Sequence, residues 1–228
     1  MLLAGSLLAA DTSPKDDVTS AAAALGGQKN YSWRTTVEAG NSPFKPGPTE
    51  GRTEKDGCTT LSMSFNDNAT EAVIKGTNAA IKTPDNGWQS AAEALQDNGG
   101  GFNPAMFIAR TAQNYKTPAA QASDLAAQAR ELKAGTNGIS GDLTEDGAKA
   151  LLTFRRGGNG DGPTVTNPKG SVTFWIADGK LTKYEYHVTG TVSFNGNDRD
   201  VDRTTTTVMK DVGTTKVEVS DEAKKKLE

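Results

Sequence analysis

Residues 172–194 read VTFWIADGKLTKYEYHVTGTVSF, and this order of apolar and polar side chains predicts two antiparallel strands. Asp178 and Gly179 stand between the two halves. Asp-Gly is a strong signal for a two-residue hairpin turn, because both turn positions need a positive φ. If these residues form the turn, Ala177 pairs with Lys180, and the other cross-strand partners follow by counting outward.

That register predicts two faces for the hairpin. The first face carries the longer apolar surface, formed by Trp175, Tyr184, Tyr186, Val188, Val192 and Phe194. The second face begins with Val172, Phe174, Ile176 and Leu181 and continues with Lys183, Glu185 and His187. An even-length turn after Phe194 adds Arg203 to the first face. We therefore expect the first face to lie beneath other elements of the chain.

Strand patterns also fill the first third of the chain. Tyr31, Trp33 and Val37 alternate with polar residues, as do Leu61 and Met63 further along. Residues 71–82, interrupted by Gly-Thr-Asn at 76–78, predict a hairpin. The turn at 84–87 then presents a tryptophan, Trp88.

Helix signals occupy the middle of the chain and its end. A helix start is predicted at Asn103 with Pro104 and again at Thr117 with Pro118. The second helix is expected to run to Lys133, and Gly135 is expected to end it. Thr144 and Ser220 predict two further N-caps. Strands are expected again at 204–209 and 216–219. The order predicts an α+β fold with an antiparallel β-sheet.

The sequence predicts three regions along the chain. Residues 1–10 are short, apolar and followed by Asp11, which is typical of the remnant of an export signal and far too short to span a bilayer. Residues 11–30 are interpreted as a linker, although Ala21–Ala24 also suit a small helix. Residues 31–228 are expected to form a single domain.

Composition excludes several functional classes. The 25 basic and 28 acidic residues give a net charge of −3, which provides no electrostatic basis for binding nucleic acid. Cys58 is the single cysteine and His187 the single histidine, so an internal disulfide and a Cys/His zinc site are both excluded. We expect no cofactor and no metal.

No catalytic motif emerges from the residues. His187 falls on the more polar face of its strand, and Ser42-Pro-Phe-Lys45 matches a Ser-x-x-Lys pattern in a proline-rich stretch that disfavours the required helix. The acidic residues at 198, 200 and 202 are expected to form ion pairs with the interleaved Arg199 and Arg203, or to lie at a solvated hairpin tip, rather than to bind calcium. The sequence predicts that the protein is not an enzyme.

Three segments resemble the LolA, LppX and LprG superfamily of bacterial envelope lipid carriers. They are Val73–Gly76 leading through Trp88, Gly141–Thr144 before a short helix, and Gly170–Leu181 followed by paired strands. The resemblance covers roughly residues 31–228. It implies a curved antiparallel β-sheet, an open half-barrel, covered by helices. It also implies an exported bacterial protein, periplasmic or extracellular, that binds an acyl chain or another apolar ligand without reaction chemistry. Ser6 stands where a lipobox would have its lipid-bearing cysteine.

Two functional hypotheses follow. In the first, a lipid or other apolar ligand lies between sheet and helices, in contact with Trp88, Trp175, Tyr184, Tyr186, Val188 and Arg203. In the second, the interior is filled and the protein is an envelope interaction module that binds another protein. A ligand-sized void of roughly 300 Å³ beneath the helices would favour the first.

Overall fold

The computed structural model describes residues 12–40, 47–65, 68–83, 87–96, 104–153, 163–194 and 196–228. Within these residues there are eleven strands and six helices. The strands are β1 (Asn30–Ala39), β2 (Thr49–Glu54), β3 (Thr59–Phe65), β4 (Asn68–Lys75), β5 (Asn78–Thr83), β6 (Gly87–Ser90), β7 (Lys133–Gly135), β8 (Gly138–Asp142), β9 (Thr164–Ala177), β10 (Lys180–Phe194) and β11 (Asn197–Lys210). The helices are α1 (Pro14–Gly26), α2 (Ala91–Gln96), α3 (Pro104–Gln113), α4 (Pro118–Gln128), α5 (Glu145–Leu152) and α6 (Asp221–Lys225).

All described strands join one open sheet, in the order β6-β5-β4-β3-β2-β1-β11-β10-β9-β8-β7. Every neighbouring pair is antiparallel. The sheet ends at β6 and β7, which do not pair with each other, so it is not a closed barrel. The predicted α+β fold, an open antiparallel sheet with helices, is confirmed.

The β9–β10 hairpin has the predicted turn. Ala177 pairs with Lys180, and Asp178 and Gly179 have φ values of 50° and 68°. Beyond Leu181 the register shifts by one residue. Leu181 pairs with Ile176, and the next pair joins Lys183 to Trp175, which leaves Thr182 without a partner residue on β9. Thr182 is therefore an extra residue, a β-bulge in β10.

This bulge overturns the predicted division of faces. Tyr184 pairs with Phe174, and Tyr186 pairs with Val172, so all four side chains lie on one face of the sheet. We call this the inner face. Trp175 lies on the opposite, outer face, opposite Lys183. The prediction that grouped Trp175 with Tyr184 was wrong, because counting outward from the turn assumed a regular ladder.

Helices cover the inner face from several parts of the chain. Helices α1 and α5 pack on β9 and β10. Helix α2 packs on β5 and β6, α3 packs on β4 and β5, and α4 packs on α1. Thr117 and Thr144 cap α4 and α5 as predicted, each accepting a hydrogen bond from a backbone N–H of the first turn. Helix α4 ends at Gln128 rather than Lys133, and Gly135 lies in β7.

Residues 14–26 form a core helix, not a linker. Ser13 caps α1 in a reciprocal capping box with Asp16. Val18 and Leu25 are buried with Ala21 and Ala22 in the main hydrophobic cluster. The linker interpretation was wrong for this segment, because the small alanines allow α1 to pack closely on α4 and β10.

The C-terminal segment packs on the outer face. Ser220 caps α6 as predicted, whereas residues 216–219 form no strand. Ala223 and Leu227 bury Val73 and Ala80 in a second, smaller cluster. The sheet thus has a large core on its inner face and a small one on its outer face.

Some predictions concern residues outside the described ranges. They are the export-signal remnant at 1–10, the Ser42–Lys45 pattern, the turn residues 84–86, the Asn103 cap and the side chain of Phe194.

Candidate functional site

The six predicted ligand contacts divide between the two faces of the sheet. Tyr184, Tyr186, Val188 and Arg203 share the inner face, since Tyr186 pairs with Thr205 and Val188 with Arg203. Trp88 and Trp175 lie on the outer face, where Trp88 pairs with Lys82. The structure therefore brings together four of the six residues.

Tyr184 and Val188 lie in a packed region. Their exposed fractions are 1% and 0%, and the neighbouring Phe174 is also 0% exposed. A ligand-sized void beside these side chains would appear as accessible surface, so none lies against them. The Tyr184 hydroxyl donates to Gln121 Oε1 of α4 at 2.5 Å, and burial raises the pKa of this tyrosine. Tyr184 thus joins sheet and helix instead of lining a pocket.

Trp33 fills the centre of the inner face. Its ring lies over Gly51, where an added Cβ would meet the ring carbon Cζ2 at 2.0 Å. The ring also stacks on Tyr115, with centroids 6.2 Å apart and planes 17° apart. Burial raises the pKa of Tyr115 well above its ordinary value. This stack occupies the space between the sheet and the segment joining α3 to α4.

Packing weakens toward one end of the same face. Along β11, Thr207 and Thr205 are 0% and 5% exposed, whereas Arg203 and Val201 are half-buried and Arg199 is exposed. On the adjoining strands the corresponding apolar residues are half-buried as well: Val37 on β1, Met63 on β3 and Val192 on β10. We call this region, formed by Val37, Met63, Val192, Val201, Arg199 and Arg203, the open end. The alternation of these residues is visible in the sequence, but their incomplete cover is not.

Arg203 reaches from the open end to helix α5. Its Nη2 donates to the carbonyl oxygen of Leu151 at 2.6 Å, at the last turn of α5. Its Nε is buried and has no hydrogen-bond partner. Gly190 allows the end of α5 to lie close to β10, since a Cβ at this position would lie 2.8 Å from Leu152 Cδ1. The guanidinium is thus held in place with part of its donor capacity unused.

The arginines do not neutralise the acidic residues of β11. Arg199 and Arg203 lie on the inner face, whereas the intervening acidic residues lie on the outer face. On the outer face, Asp198 accepts a hydrogen bond from Ser193 Oγ at 2.6 Å, and Asp200 accepts one from Thr191 Oγ1 at 2.8 Å. Asp202 Oδ1 lies 2.8 Å from His187 Nε2. The predicted ion pairing between these groups was wrong, because alternate residues of a strand point to opposite faces.

The two outer-face tryptophans have separate structural contacts. Trp88 packs against the small cluster beneath α6, with Lys82 Nζ 5.9 Å from its ring centroid. Lys183 Nζ lies 4.0 Å from the Trp175 ring centroid. Neither tryptophan faces the interior, so neither can contact a ligand bound between the sheet and the helices on the inner face.

Other candidate sites are poorly developed. His187 lies on the outer face, as predicted, and is partly exposed. The described residues include no group of three His, Cys, Asp or Glu side chains arranged to hold a metal. A shallow polar cleft of about 330 Å³ lies against the C-terminal segment and is lined by Ser32, Arg52, Asp211, Thr214, Thr215, Lys216 and Glu218. None of the helices in the described part of the chain is both long and apolar enough to cross a bilayer.

Comparison with known proteins gives structural similarities only. No family model and no curated protein match the chain. The fold is similar to those of solved proteins, among them a lipoprotein. LppX from Mycobacterium tuberculosis has 10% identity and a TM-score of 0.46, with 91% of this chain and 98% of that chain covered. LprF from Mycobacterium bovis has 12% identity and a TM-score of 0.47, with 92% and 97% covered.

A LolA superfamily protein from Nitrosomonas europaea is also similar, with 7% identity, a TM-score of 0.35, and 91% and 96% of the two chains covered. With 7–12% identity, these similarities concern the fold alone.

Proposed function

We propose that this chain is an exported, non-enzymatic protein of the bacterial envelope that binds a lipid or other apolar ligand at the open end of its inner face. The supporting observation is the loss of cover along β11, from fully buried Thr207 to half-buried Val201. The ligand would lie between the sheet and the end of helix α5.

The chemistry of the open end supports an apolar ligand. Val37, Met63, Val192 and Val201 are hydrophobic, and their incomplete burial leaves apolar surface in contact with water. Covering such surface with an acyl chain is favourable by roughly 25 cal/mol for each Å² removed from water. A few polar groups beside an apolar surface are typical of small-molecule sites, and Arg203 supplies one here.

The packed region around Tyr184 and Val188 supports a revised location for the ligand. Tyr184, Val188 and Phe174 have no ligand-sized space beside them, so a ligand held among these residues would require helices α1 and α4 to move. The open end requires no such movement. This filled region is also the observation that favours the alternative function, an interaction module for another envelope protein with no ligand.

A pair of valines on one strand provides the test. Val201 is half-buried on the inner face of β11, and Val208 is 37% exposed on its outer face between Arg34 and Lys183. We expect Val201→Glu to reduce uptake of a fluorescent fatty acid by delipidated protein at least tenfold, because a carboxylate on the apolar surface opposes an acyl chain. Val208→Glu should bind like the unmodified protein.

Native mass spectrometry of gently purified protein gives a second readout. A bound lipid that is lost in Val201→Glu and retained in Val208→Glu would support the proposal. Folded wild-type protein with neither bound lipid nor probe uptake would overturn it and leave the interaction module as the function to test. Equal binding by both variants would overturn the assigned location.

A further inference from the structure

Charge is separated between the two faces at the open end. On β11, Arg199 and Arg203 lie on the inner face, and the acidic residues at 198, 200 and 202 lie on the outer face. Each acidic side chain has its own polar neighbour on β10. The two arginines therefore receive no compensating charge from their own strand.

The inner-face arginines are also unpaired with carboxylates from other strands. Within the described part of the open end, the inner-face neighbours are Val37, Ala39, Thr49, Met63, Gly190 and Val192, none of which is acidic. The described salt bridges include neither Arg199 nor Arg203. The cationic charge of this region is thus available to a bound group.

Arg203 has a donor suited to such a group. Its Nη2 is occupied by the carbonyl oxygen of Leu151, while the buried Nε has no partner. An unsatisfied buried donor is unfavourable, and an anionic oxygen satisfies it with a charge-assisted hydrogen bond. Arginine binds carboxylates and phosphates particularly well, because its planar fork presents several donors to one anion.

We propose that the ligand of the open end is an anionic amphiphile. Its carboxylate or phosphate pairs with Arg203, with Arg199 nearer the solvent, and its hydrocarbon chain lies along Val37, Val192 and Val201. This inference rests on the proposed function and specifies its ligand class. The attraction is local, since the chain as a whole carries a net charge of −3.

Two ligands that share a chain and differ in the head group provide the test. Oleate and oleyl alcohol are titrated into delipidated protein below their aggregation concentrations. We expect oleate to bind roughly tenfold more tightly or better, as one charge-assisted hydrogen bond would give. Its affinity should fall between 0.05 and 0.5 M salt, while that of the alcohol should not fall.

Variants then locate the charge. Arg203→Gln should remove most of the preference for oleate, and Arg199→Gln part of it, while binding of the alcohol stays unchanged. Arg34→Gln is the matched control, because Arg34 lies on the outer face and pairs with Glu50 at 2.8 Å. If Arg203→Gln does not fold, Arg199→Gln and the salt dependence decide the result, with a reduced preference for oleate expected in Arg199→Gln and a fall in its affinity with salt.

The outcomes separate the two proposals. Equal affinities for oleate and the alcohol, or a preference that persists in both arginine variants, would overturn the anionic ligand and leave the apolar site intact. Binding of neither ligand would overturn the proposed function itself. A second comparison, of dioleoyl phosphatidylglycerol with dioleoylglycerol, identifies the anionic head. Tighter binding of the phosphatidylglycerol would assign a phospholipid phosphate, whereas binding of oleate and not of the phospholipid would assign a free fatty acid.

Discussion

Single side chains hold the C-terminal helix against the outer face. Both carboxylate oxygens of Glu93 accept from Lys226 Nζ, at 2.9 and 3.0 Å, and one also accepts from the backbone N–H of Ser90 at 2.7 Å. Asn78 Nδ2 donates to the carbonyl oxygen of Leu227 at 2.8 Å. These contacts anchor α6 above Val73 and Ala80, so the small outer cluster depends on a few polar residues.

The first prediction concerns the ionisation of Glu93. The hydrogen bond from Lys226 holds the pKa of this carboxyl below its ordinary value of 4.5. A lowered folded-state pKa means that the contact stabilises the docked helix above pH 4.5 and is lost as the pH falls through the lowered value. We expect Lys226→Met to raise the pKa of Glu93 in an NMR titration of its carboxyl carbon.

Lys224→Met provides the control, because Lys224 pairs with Asp221 at 2.9 Å and does not contact Glu93. This variant should leave the Glu93 titration unchanged. An unchanged Glu93 pKa in Lys226→Met would show that the Lys226 contact does not control the carboxyl.

The β9–β10 hairpin shows how one residue reassigns the faces of a strand. Thr182 is the extra residue, and its hydroxyl donates to the carbonyl oxygen of Trp175 at 3.1 Å. Leu181 and Tyr184 consequently lie on the same face, although they are three residues apart. A regular ladder would place residues of odd spacing on opposite faces.

The second prediction uses this geometry. Deleting Thr182 would restore a regular ladder, with Leu181, Lys183 and Tyr184 keeping their present partners Ile176, Trp175 and Phe174. We expect a cooperative fold that is destabilised by about 1 kcal/mol, the loss of one hydrogen bond. Urea unfolding followed by tryptophan fluorescence measures the change.

Deletion of Glu185 is the matched control in the regular part of the same strand. There the ladder has no bulge to absorb the change, so Tyr184 would turn outward and Lys183 inward. The expected cost exceeds about 4 kcal/mol, enough to unfold many domains. Similar destabilisation by both deletions would contradict the assignment of Thr182 as the bulged residue.

At the scale of the whole molecule, the sheet is packed at one end of its inner face and open at the other. Helix α1 contributes to the packed end, where Val18 and Leu25 are 0% and 1% exposed. It lies before β1 in the chain and yet covers β10, about 160 residues further along. Helix α1 is therefore part of the same core as the sheet, although the sequence prediction placed it in a linker.

The third prediction tests that role. Leu25→Ala should destabilise the protein by about 2–5 kcal/mol, because it leaves a cavity among α1, α4 and the sheet. Lys15→Ala, on the exposed side of the same helix, should change stability by less than about 0.5 kcal/mol. Chemical denaturation measures both. Small effects of both variants would mean that α1 does not contribute to the core.

The sequence alone determined the local elements: the strands at Tyr31–Val37 and 71–82, the Asp178-Gly179 turn, and the caps at Thr117, Thr144 and Ser220. These features depend on backbone preferences and on hydrogen bonds between residues only a few positions apart. Four predicted site residues also share the inner face, because the β10–β11 ladder is regular from Tyr184 to Arg203.

Only the tertiary structure decided the rest: the bulge at Thr182, the outward positions of Trp88 and Trp175, the packing of α1, and the incomplete cover at Val201. Each depends on contacts between segments far apart in sequence, and periodicity within one segment contains no information about them. Burial of a side chain is set by what packs against it, so the open end becomes visible only when all eleven described strands and their helices are assembled.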